Sequence, residues 1–136
     1  MTPKEKIAII KEFVTFCESE LEIEELPKIK FILDNRWPKQ LHSFGRYRNE
    51  DKDVTVYIGK RNLADILRTL GHELVHHRQN ELGKLDAKSG QTGSAIENEA
   101  QAVAGILMRN FGKDHEMIYE SKSIKLMDIL KEIKEK

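Results

Sequence analysis

The chain has 136 residues, balanced at 23 Lys+Arg against 23 Asp+Glu, and one cysteine. That length suits a single domain, residues 1–136, able to bury roughly two-thirds of its unfolded surface. One cysteine excludes an internal disulfide framework, and zero net charge argues against a nucleic-acid partner. No apolar run approaches the ~18 residues of a membrane span, and Met1-Thr2-Pro3-Lys4-Glu5-Lys6 has no signal-peptide core, so a cytoplasmic protein without a membrane partner is expected.

Thr2-Pro3-Lys4-Glu5 reads as a helix start, with Thr2 as cap, Pro3 in the first turn and Glu5 closing a capping box. Ile7, Ile10, Phe13, Val14, Cys17 and Leu21 follow at helical spacing, which predicts a helix over about 3–20. After Pro27, the alternation around Ile29, Phe31 and Leu33 predicts a strand ending at Asp34-Asn35, with Trp37 in the loop beyond it. A second strand is expected around Ser43–Arg48 and a turn at Asn49–Lys52. Val54-Thr55-Val56-Tyr57-Ile58 is the clearest strand, β-branched and closed by Gly59.

Beyond Gly59 the apolar period lengthens from 2 to 3.6. Leu63, Ile66, Leu67, Leu70 and Leu74 give a helix capped by Asn62, running to about Leu82 and ended by Gly83. Residues 83–93 read as a loop joining two helices, with glycines that would let it move. Ser94-Ala95-Ile96-Glu97 is a second capping box, opening a helix to about Asn110 with Gly112 as its stop. A last helix is expected over about 121–134. The fold class is therefore α+β: an N-terminal helix, a short three-stranded and mostly antiparallel sheet, then three helices.

His72-Glu73-Leu74-Val75-His76 is an H-E-x-x-H sequence. On a helix the two imidazoles lie about 40° apart, one turn above the other, and can reach one zinc ion with Glu73 beside them. The helix's apolar stripe lies on the opposite side, so the histidines face a groove rather than the core. His77, about 140° from His72, is read as a structural histidine, and Cys17 as core.

Catalytic zinc generally takes three protein ligands. In the following helix, Ala95, Ile96, Ala102, Val103, Ile106 and Leu107 all fall within about 80° of Glu99. Glu97 lies about 160° away and already belongs to the Ser94 capping box. A carboxylate in a buried stripe is costly unless it is paired or binds metal. Glu99 is therefore the expected third ligand, against a buried ion pair with Arg68 or Arg78.

On these residues the sequence resembles the gluzincin metallopeptidases, which carry H-E-x-x-H on one helix and a ligand Glu, often within Asn-Glu, on the next. Here the pair is Asn98-Glu99, 23 residues after His76. The length is similar to that of the small minigluzincins, and the strand-then-helix run is similar to zincin-like domains from phages and bacteria, which leaves carriage in a phage particle open. The resemblance covers roughly 53–107. It implies a zincin-like fold, Zn²⁺ as cofactor, a peptide or protein substrate, and Val54–Ile58 as the strand that aligns it. It also implies hydrolysis of a peptide bond, with Glu73 as general base. Where thermolysin-like enzymes carry an Asp that supports a zinc-bound His, this chain has Val103; Asp65 and Asp86 are the alternatives. In the SprT-like group a third His is the ligand, which here would be His115.

The developing oxyanion needs a donor besides the metal. Tyr119 and His115, after the Glu99 helix, are candidates, with Tyr47 and His42 behind them. The rival functions are a zincin-fold binding, regulatory or assembly protein whose metal is structural or vestigial, and a helical interaction domain with a chance motif. Oligomeric state cannot be read from the sequence.

Overall fold

The computed structural model describes residues 1–41, 43–85 and 94–119. The expected helix over 121–134, His42 and most of the 83–93 loop lie outside the described residues. The elements run α1 (Pro3–Glu20), β1 (Lys28–Ile32), α2 (Arg36–Leu41), β2 (Gly45–Arg48), β3 (Asp53–Tyr57), α3 (Leu63–Glu81) and α4 (Ala95–Lys113), followed by a 3₁₀ turn at Glu116–Tyr119. The architecture is α+β.

The Thr2 hydroxyl accepts the Glu5 N–H at 3.1 Å and starts α1 as its sequence demands. Ile9, Ile10, Phe13 and Cys17 then turn inward. Burial pushes the Cys17 thiol far above its ordinary range, with Glu20 adding to the shift, so this cysteine is a packing residue. Phe13 and Phe111 meet edge to face, 5.1 Å between ring centres, and join α1 to α4. Leu63, Ile66, Leu67, Leu70 and Leu74 of α3 are fully buried, so α3 is the central helix. Each such leucine contributes about 1.5–3 kcal/mol by leaving water.

The sheet has the order β1-β3-β2. β1 pairs with β3 in parallel, Ile29 opposite Val54, and β2 pairs with it antiparallel, Gly45 opposite Val56. The expectation of a mostly antiparallel sheet is corrected: the sheet is mixed. The chain between β1 and β2 carries α2, which holds Trp37 where the sequence predicts a loop. Asp34 starts α2: its carboxylate accepts the Arg36 N–H at 2.9 Å, and its carbonyl accepts that of Trp37 at 3.2 Å. That detour lets β1 enter the sheet on the far side of β3.

Every residue of β3 is buried. Val54–Ile58 was expected to be the strand beside substrate, but β3 is the central strand and both its edges are paired. Among the described strands, the free edge next to α3 belongs to β2.

Candidate metal centre

α3 presents His72 and His76 on one face, their Nε2 atoms 3.2 Å apart. α4 supplies the third group, and it is Glu97. Its Oε1 lies 2.7 Å from His72 Nε2, and its Oε2 lies 3.1 Å from His76 Nε2. His72, His76 and Glu97 form the group that can hold a metal ion, their ligand atoms all within 4.8 Å of one another. Around zinc at ~2.0–2.1 Å, tetrahedral ligand atoms sit roughly 3.3 Å apart, close to the 3.2 Å between the two Nε2 atoms, while the 2.7 Å approach of Glu97 Oε1 to His72 would have to open by about 0.6 Å.

Glu99, the expected ligand, is not in this group. Its carboxylate accepts from Gln79 Nε2 at 2.8 Å on an exposed part of α4. The physical reason is that α4 buries a different stripe from the one its larger aliphatics suggest. Ala100, Ala104, Met108 and Phe111 are buried, with Leu107 at the edge of that stripe, whereas Ile106 is 51% exposed. Glu97 lies on that buried stripe, within about 60° of all four. Small residues make the contact: a Cβ on Gly71 would stand 3.9 Å from Ala104 Cβ and 3.3 Å from the Phe13 ring. The capping reading of Glu97 is half right. Its backbone N–H donates to Ser94 Oγ at 3.1 Å, which leaves the carboxylate for the histidines.

Gln79, 2% exposed, determines the state of His76. Its Nε2 donates to the Ile96 carbonyl at 3.0 Å and to Glu99, so its Oε1 must accept from His76 Nδ1–H, 2.8 Å away. A neutral His76 therefore turns the lone pair of Nε2 toward Glu97 and His72. Lone pairs and a carboxylate converging in a largely buried place are unfavourable by themselves and are what a divalent cation neutralises. The support sought at Asp65 or Asp86 comes from Gln79; Asp86 lies outside the described residues. Burial holds His72 below the ordinary histidine range, with Glu97 opposing and His76 reinforcing, which favours the neutral ring that binds metal.

Glu73 adjoins the group, its Oε1 4.0 Å from His72 Nε2. Burial, and secondarily the field of Glu97, push its carboxyl up to about 8. No hydrogen-bond donor holds it among the described residues. β2 reaches this carboxylate because Gly45 has no side chain: a Cβ there would stand 2.5 Å from Thr69 Cγ2 and 3.2 Å from Glu73 Cγ. The space in front is a cleft of about 880 Å³ between β2, α3 and α4, with His72, Glu73, His76 and Glu97 in its wall beside Gly45, Arg68 and Gln101.

The other expected site residues lie elsewhere. His115 stacks on Phe111 and pairs with Glu12 at 2.8 Å, so it is neither ligand nor oxyanion donor in this arrangement. Tyr119 packs its ring against Gly112, where an added Cβ would meet its hydroxyl at 2.7 Å. For the same reason Gly112 does not stop α4 but gives room to that ring. Tyr47 lines the cleft, yet its hydroxyl lies 2.9 Å from His77 Nδ1 and accepts from Asn80. His77 is the buried structural histidine expected, its Nε2 2.6 Å from the Glu25 carbonyl.

No family profile, curated protein or solved structure matches the chain. The site's own chemistry therefore carries the functional reading. Two of its members escaped the sequence reading. Glu97 was signalled by the stripe it shares with Ala100, Ala104 and Met108. Gln79 was signalled only by its place one turn after His76 on the same helix.

Proposed function

We propose that the chain is a zinc-dependent metallopeptidase of zincin-like fold, with His72, His76 and Glu97 as ligands and Glu73 as general base. One observation carries this reading: three donors converge on the wall of an open cleft, next to a buried carboxylate that no hydrogen-bond donor holds among the described residues. Structural zinc sites are closed by four protein ligands, whereas catalytic ones keep a position open. The open wall thus favours an enzyme over a binding module with a structural metal. Two imidazoles and a carboxylate are a zinc-type donor set.

Zinc held there would supply Lewis acidity toward water and toward the scissile carbonyl. Glu73 takes the proton of the attacking water on a carboxylate oxygen and later delivers it to the leaving amine nitrogen. A basicity raised toward neutral suits that two-way transfer. Gln79 keeps His76 in the ligating tautomer. The outer edge of β2 offers backbone groups beside Glu73, where an extended peptide can lie as an added strand. The test is a fluorogenic peptide library with the zinc-loaded protein and its Glu73→Gln variant. Turnover by the parent, lost by roughly 10²–10⁴-fold in a variant that still holds one zinc, is expected. No turnover by the parent, or unchanged turnover by the variant, would refute the reading.

A further inference from the structure

The metal centre occupies one end of a longer depression. A second hollow of about 440 Å³ adjoins the cleft and is lined by Phe44, Lys60, Arg61, Asp65, Arg68 and Thr69, among others. Phe44, Arg68 and Thr69 line both spaces, so the two are continuous along the first turns of α3. Their charges are opposed. The metal end carries Glu73 and Glu97 with Arg46, the far end carries Lys60 and Arg61 against one acid, Asp65, and Arg68 lines both.

The three cations are not equivalent. Arg61 is a fixed wall: its guanidinium donates to the Tyr57 carbonyl at 2.8 Å and to Thr69 Oγ1 at 2.7 Å, and lies 4.5 Å above the Phe44 ring. Lys60, exposed, stands before the helix. Arg68 stands at the junction, exposed, and among the described residues no carboxylate pairs with it. Arg46, the other arginine lining the metal cleft, does not reach the second hollow. Asp53 is held low chiefly by hydrogen bonds from Arg48, and Arg46 adds to the favourable field. Arg68 is four residues before His72, about 6 Å along the helix and about 40° around it. An extended peptide advances about 3.3 Å per residue, so the Arg68 guanidinium reaches side chains within one or two residues of a bond lying at the metal centre.

We propose that the cleft selects peptides bearing a carboxylate side chain within two residues of the scissile bond, with Arg68 as the residue that reads it; this rests on the peptidase reading. An acidic side chain placed there gains a charge-assisted partner beside the apolar face of Phe44. A basic one meets three like charges.

The test scans glutamate, glutamine and lysine through each position of an acetylated Ala/Gly heptapeptide. Binding is measured to the zinc-loaded Glu73→Gln protein and cleavage with the parent. One position should show about tenfold tighter binding for glutamate than for glutamine, with lysine weaker still. Arg68→Gln should flatten that preference and Arg68→Glu should turn it toward lysine; both sit at an exposed position and leave the fold intact. Equal binding of the three peptides at every position, or a glutamate preference that survives Arg68→Glu, would overturn the proposal. The two readings fail separately. Binding preference without any turnover sinks the peptidase and leaves the carboxylate site standing, whereas turnover indifferent to charge does the reverse.

Discussion

Replacing Gln79 with alanine tests whether the α3–α4 contact and the metal centre are one device. The side chain makes three hydrogen bonds, at 2.8 Å from His76 Nδ1, 3.0 Å to the Ile96 carbonyl and 2.8 Å to Glu99. Glu99 is exposed and regains water. His76 Nδ1–H and the Ile96 carbonyl lose a partner in a place water reaches poorly, at about 1–3 kcal/mol each. The expected loss is roughly 2–6 kcal/mol, a large part of the ~5–15 kcal/mol that holds a domain together. His76 is also released to rotate and change tautomer, so zinc affinity should fall about 10–100-fold. Urea unfolding of the metal-free protein measures the first quantity, and competition with a chromogenic chelator the second. Gln79→Glu is the discriminating control. It still accepts from His76 Nδ1–H but cannot donate to Ile96, so it should lose stability while keeping most of the zinc affinity. If Gln79→Ala unfolds more easily yet binds zinc within about twofold of the parent, Gln79 is a helix clamp only.

Two further outcomes follow from the same geometry. Gly45→Ala forces β2 away from Thr69 and Glu73, and should cost about 1–3 kcal/mol in stability and most of the turnover, with zinc content by metal analysis unchanged. In the metal-free protein, Glu73 carries a carboxyl raised to about 8, so the folded state binds a proton that the unfolded chain has already lost. Its stabilisation is complete below the ordinary carboxylate range and disappears as pH rises through about 8. His72, lowered by burial, acts in the opposite sense only below its ordinary range. Melting temperature in chelator should therefore fall between about pH 6.5 and 8.5, and Glu73→Gln should remove that slope; an equal slope in the variant contradicts the assignment.

The sequence made the helices legible because their signals are local. Thr2 and Ser94 cap as their spacing requires, and the apolar stripe of α3 is continuous enough to set the histidines on the far side. What it hid depends on pairing between distant segments. α4 has two apolar stripes, one with Val103 and Ile106, the other with Ala100, Ala104, Met108 and Phe111. Side-chain size favours the first, but α3 offers Gly71 at the crossing, and small residues win where helices approach closely. That choice brings Glu97 rather than Glu99 to the two histidines. The mixed sheet was equally hidden, since alternation along β1 and β3 is the same whichever way the strands run. α2 rests on Asp34 capping a helix of only six residues, too short for periodicity to register.

The most direct test compares zinc binding by the parent, Glu97→Ala and Glu99→Ala, each purified metal-free and titrated with zinc against a chelator of known affinity. The parent and Glu99→Ala should bind one zinc per chain with affinities within a few-fold, and Glu97→Ala should bind at least a hundredfold more weakly. Equal affinity in the parent and Glu97→Ala, or a loss confined to Glu99→Ala, would contradict a centre built from His72, His76 and Glu97.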